Sequence, residues 1–173
     1  YFVSLLTAVF FILPNNAGEL ESTLSQDINA VMTKVTDWRH HFHEFPELSN
    51  REFKTQKSIS EALIEMGLEP NTEYGKTGVV AFIRGQNPGP LIALRADIDG
   101  QPVTEKLNLS FSSKERTLYQ GNDVGIMHAC GHDAHIATLL GVASFISQNT
   151  DKLNGDIMPV SYTHLTLPTN RCV

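Results

Sequence analysis

Cysteine is nearly absent from this 173-residue chain: only Cys130 and Cys172 occur, too few for a disulfide framework. Positive charge is also short. Thirteen Lys and Arg against 19 Asp and Glu leave a formal charge of −6, and no basic stripe is interleaved with aromatics. Both features argue against a nucleic-acid partner. Long apolar runs are missing as well, because the uncharged stretch from Tyr1 to Leu13 is shorter than the ~20 residues a bilayer span requires. No internal repeat or low-complexity segment is present, which removes solenoids and fibrous arrays. What remains is about one domain of ordinary globular composition, 41% hydrophobic and 18% charged, with length enough for a substantial core.

Residues 1–17 match the apolar and small-residue regions of a secretory signal peptide, without an initiator Met or a basic leading segment. The expectation is export, to a periplasmic or secreted location. From Ser25 onward, Ile28, Val31, Met32, Val35, Trp38 and Phe42 recur at helical spacing, and Pro46 stops the pattern. Ser49 and Glu52 have the spacing of a capping box for a second helix through Ile59, Leu63 and Ile64. The period then shortens. Gly78–Gly85 and Leu91–Asp97 read as strands separated by Asn87-Pro88-Gly89-Pro90 turn chemistry, the second apolar enough for a sheet covered on both faces. Asp97 and Asp99 fall at that strand's carboxyl end, where ligand groups gather in α/β folds.

The densest chemistry lies in Met127-His128-Ala129-Cys130-Gly131-His132-Asp133-Ala134-His135. Imidazole, thiolate and carboxylate are the donors that hold zinc and similar divalent ions. Gly131 lets the backbone bend so that Cys130 and His132 converge, and His132 and His135 can share a face of the helix that follows. A third helix is predicted from the stripe Ile136, Leu139, Leu140, Ala143 and Ile146. His40, His41 and His43 read as an exposed helix end. The fold class is α/β, with a central sheet flanked by helices.

That segment, together with Trp38–Ser49 and Leu94–Gly100, closely resembles the M20 metallopeptidase family. The similarity is to its amidohydrolase branch, which includes hippurate hydrolases, aminoacylases and indoleacetyl-amino-acid hydrolases. The resemblance implies the N-terminal part, residues 25–157, of a zinc-peptidase-like catalytic domain that is truncated here. It further implies hydrolysis of the amide bond of N-acyl amino acids at two divalent ions (Zn, Mn, Ni or Co). Cys130 and His132 are then metal ligands, Asp133 and His135 orient them, and Asp97 is the supporting catalytic carboxylate; a cap or turn role for Asp97 stays open. The implied partners are a small-molecule substrate and, for the full-length protein, a second copy in a homodimer. A dipeptidase, an N-acetyl-diaminopimelate deacetylase and a non-catalytic metal-binding protein remain alternatives.

The family pattern next requires a Glu-Glu pair, yet no glutamate follows Glu115. Residues 158–173 resemble a translated adapter and are expected to be a non-native tail, so His164 and Cys172 carry no ligand role. The polypeptide as it stands is accordingly expected to be inactive.

Overall fold

The structure, a computed structural model, describes residues 16–163, with side chains from residue 25. The apolar run of residues 1–13 and most of the expected tail, including His164 and Cys172, lie outside the described residues. The elements run α1 (Asn16–Glu44), α2 (Phe53–Glu65), β1 (Val79–Val80), β2 (Ile83–Arg84), β3 (Asn87–Ala96), β4 (Arg116–Tyr119), β5 (Asn122–Gly125), α3 (His132–Ser147), a 3-10 turn (Thr150–Lys152) and β6 (Asn154–Ser161). Asn16 and Ala17, the end of the expected leader, belong to α1.

α1 stops two residues before Pro46, as a ring that clashes with the preceding turn demands. The start of α2 differs from the expected capping box. Glu52 makes no side-chain cap; it is buried and accepts the Thr77 hydroxyl at 2.8 Å. Its place is taken by Glu47, whose carboxylate accepts both the backbone N–H (2.8 Å) and the hydroxyl (3.0 Å) of Thr55. A carboxylate there satisfies an orphan donor and meets the positive end of the helix dipole.

β6 is the hub of the main sheet. β1 and β2 run antiparallel along one edge of it in a single register, from Val79 opposite Ser161 to Arg84 opposite Asp156. The break between them has a simple cause. Ala81 donates to the Pro159 carbonyl (3.2 Å), but Pro159 has no N–H to return the bond. β3 pairs parallel along the other edge, Leu91 opposite Asp156 through Ala96 opposite Ser161. The expected boundary of a tail at Met158 thus falls inside β6, which continues as a strand through Ser161.

Two strand expectations are corrected. The turn-like Asn87–Pro90 segment is incorporated into β3, with a register irregularity before Leu91. β3 is also not covered on both faces: among the described residues it is an edge strand, with Leu91 54% and Ile92 48% exposed. The polar stretch after Lys106 contains the β4–β5 hairpin. α3 packs between the sheet and α1, and the core gathers Phe42, Ile59, Leu63, Val79, Ile83, Ile98, Ile136, Leu140 and Ile157. Burying each such side chain contributes roughly 1.5–3 kcal/mol.

Candidate metal centre

The strand end carries the acidic half of the site. After β3 the backbone continues through Asp97-Ile98-Asp99, and Ile98 is fully buried. In extended backbone alternate residues face opposite ways, so Ile98 in the core turns both aspartates outward. Gly100 follows at a close approach: a Cβ there would meet Ile126 Cγ2 and Pro46 Cβ at 2.9 Å each. Its N–H bonds to the Glu47 carbonyl at 2.7 Å.

Gln101 then joins this strand end to the histidine-rich segment. It exchanges both backbone hydrogen bonds with Met127 (2.9 and 3.1 Å), and its Oε1 accepts the Cys130 N–H at 3.2 Å. Gly131, the N-cap of α3, has φ +80°, which a side chain resists. The turn it makes delivers His132 as the first residue of α3.

His132 is held by its Nδ1, 2.9 Å from the Asp99 carbonyl and 3.0 Å from Asp99 Oδ1. Both acceptors fix the N–H on Nδ1, which leaves the Nε2 lone pair open to a ligand. Asp97, His132 and His135 bring one ligand atom each within 4.8 Å of one another. Two imidazoles and a carboxylate are a donor set suited to zinc and its neighbours. The His132 and His135 rings stack with centroids 5.4 Å apart, and His135 Nδ1 lies 3.9 Å from Asp97 Oδ2. Asp97 also pairs with Arg95.

The residues singled out from sequence therefore divide. His132, His135 and Asp97 converge. Cys130 is a free, exposed thiol that lies outside that three-residue group. Asp133, only 2% exposed, faces away and receives His43 Nδ1 at 2.8 Å, with Arg39 Nε at 3.5 Å. His43 corrects an expectation: it is a buried residue, not part of a solvated helix end. His40 stacks on Phe111 at 3.8 Å, whereas His41 is exposed.

His128 was not given a role from sequence. It is 3% exposed, and neither ring nitrogen has a hydrogen-bond partner at good geometry. An orphaned buried imidazole costs about 1–3 kcal/mol and calls for a ligand or water beside it. Burial lowers its pKa to about 4, against the opposing charge of Asp133. The unfolded chain, at about 6.5, binds a proton there that the folded one refuses. His128 therefore contributes stability in full above pH ~6.5, and this is lost as pH falls towards 4, on the order of 3 kcal/mol at most. Urea unfolding between those pH values should show this slope, and His128→Phe should flatten it. Equal slopes would refute the assignment.

The chain is similar to several known proteins. The profile of "Peptidase family M20/M25/M40" matches residues 93–161, the stretch from β3 through β6. The chain is 48% identical over 119 residues to N-acetyl-L-cysteine deacetylase of Bacillus subtilis, covering 69% of this chain and 27% of that protein. It is 42% identical over 130 residues to N-acyl-L-amino acid amidohydrolase of Geobacillus stearothermophilus, covering 75% and 33%. Among solved structures, the Bacillus subtilis YXEP protein, described as a dinuclear metal binding peptidase from the M20 family, superposes with TM-score 0.69 at 40% identity. That match covers 77% of this chain and 35% of that one. A putative aminohydrolase from methicillin resistant Staphylococcus aureus gives TM-score 0.73 at 33% identity, covering 83% and 35%. The chain thus spans about a third of the length of these relatives. Residues 93–161 thus match peptidase family M20/M25/M40, and the fold is shared with a solved protein of the M20 family.

Proposed function

We propose that the protein containing this chain hydrolyses the amide bond of N-acyl amino acids with divalent metal ions. The observation that carries this reading is the convergence of Asp97, His132 and His135, with His132 oriented through Asp99. His132, His135 and Asp97 would hold one ion, and Cys130, on the Gly131 turn, would extend the ligand set towards a second. A divalent metal there supplies Lewis acidity, lowering the pKa of water and polarising an amide carbonyl. The chain's own contribution is orientation. Asp99 fixes the His132 tautomer, Gln101 fixes the turn that carries Cys130, and Ile98 fixes the direction of both aspartates.

The names of the relatives, a deacetylase of N-acetyl-L-cysteine and an N-acyl-L-amino acid amidohydrolase, support this substrate class. Dipeptide hydrolysis and N-acetyl-diaminopimelate deacetylation belong to the same chemistry and are separated by a substrate panel. The protein would act on a small molecule, as a homodimer outside the cytoplasm. The test is to strip the intact protein with a chelator, restore Zn²⁺, Mn²⁺, Ni²⁺ or Co²⁺ in turn, and measure free amino acid released from N-acetyl and N-benzoyl amino acids. Metal-dependent release is expected. Stoichiometric metal binding with no release from any acyl amino acid or dipeptide would leave a metal-binding protein instead.

A further inference from the structure

His43 ties three separate segments together behind the candidate metal centre. It sits in the last turn of α1, 8% exposed, with Nδ1 2.8 Å from Asp133 Oδ2 and Nε2 3.3 Å from Glu105 Oε1. Each ring nitrogen thus meets a carboxylate oxygen, one on α3 and one in the loop that precedes the β4–β5 hairpin. The Glu105 side chain is 1% exposed and is itself anchored: it accepts the Ser112 hydroxyl at 3.1 Å and the Ser113 N–H. The Phe111 ring closes over the assembly, edge-on to His43 at 5.6 Å.

We propose that His43 is a positioning residue for the metal centre, acting through Asp133 on the first turn of α3. This rests on the metal reading above and deepens it. The mechanics are helical. His132 and His135, three apart, share one face, whereas Asp133 is turned about 100° from His132. A tether on Asp133 therefore fixes the rotation of the first turn about its axis, and with it the direction of both imidazoles towards Asp97. Gly131, immediately before this turn, has no side chain with which to do the same. Stability alone is a poor reason for such a cluster. Two buried carboxylates and an imidazole pay a desolvation cost that apolar residues of similar volume avoid. Their placement one residue from His132 gives the cost a purpose.

The test uses Co²⁺ as the probe, in the intact protein, read by its visible absorption bands. His43→Leu is expected to weaken Co²⁺ binding by about 10- to 100-fold, the range typical of residues that orient metal ligands, and to shift the bands. His43→Asn, which keeps a donor towards Asp133, should restore part of both. An unchanged affinity and spectrum in His43→Leu would overturn the inference while leaving the metal reading intact. So would an equal loss in Leu and Asn variants that tracks their loss of thermal stability. Should His43→Leu not fold, Glu105→Gln decides: a band shift at unchanged melting temperature supports the tether, and no shift overturns it. Absence of Co²⁺ binding by the unsubstituted protein would remove the metal reading itself.

Discussion

Replacing His132 by alanine is expected to lower divalent-metal affinity on the order of 10²-fold and to remove metal-dependent hydrolysis from the intact protein. The magnitude follows from the share of one ligand. Four-ligand zinc sites bind with about 10–16 kcal/mol, or about 3 kcal/mol for each ligand, which is close to two decades in affinity. His132 should show the full effect because its Nδ1 is already fixed by Asp99, so no other ring can assume its direction without rebuilding the turn at Gly131. His135→Ala, at a more exposed position, should lose less. Isothermal titration with Zn²⁺ measures both. Equal affinity for His132→Ala and the unsubstituted protein would remove His132 from the ligand set.

The second large effect is predicted for a residue with no polar chemistry. Ile98→Ala should destabilise the fold by about 2–5 kcal/mol, since a fully buried isoleucine is cut back and the site refills only partly. For a domain of this size that corresponds to a fall in melting temperature of roughly 4–20 °C. The same substitution should loosen the metal centre, because Ile98 is the anchor between Asp97 and Asp99. Calorimetry and a metal titration on one preparation test both claims. A loss below about 1 kcal/mol would mean that the strand end is held by the Gly100 and Gln101 bonds alone.

Much of this architecture is legible in the sequence, and the gaps have identifiable causes. α3 is plain because Ile136, Leu139, Leu140 and Ala143 recur at helical spacing after a glycine that must turn. The strand ending at Asp97 is plain because its apolar run stops at two aspartates. The hairpin of β4 and β5 is hidden by its polarity: Arg116, Asn122 and Asp123 give no alternation to read. His43 is hidden for a different reason. A histidine at a helix end reads as solvated unless its partners are known, and these lie 62 and 90 residues further along the chain. Glu52 misleads by its spacing, since a capping glutamate and a glutamate turned inward to Thr77 have the same local sequence.

The place of β6 in the sheet bears on how the protein is made. β1, β2 and β3 each pair with β6 and, among the described residues, not with one another. Among the described residues, no ladder of the main sheet can begin to close until the ribosome reaches β6 at Asn154, and the ladder of β1 waits for Ser161, roughly 80 residues after Val79. At about 5–20 residues per second, translation leaves the first strands waiting some 4–16 seconds. During that interval Val79, Ile83 and the apolar run of β3 have helices to collapse on but no strand to pair with. Slow synthesis over residues 97–153 would lengthen the exposure of these unpaired apolar segments.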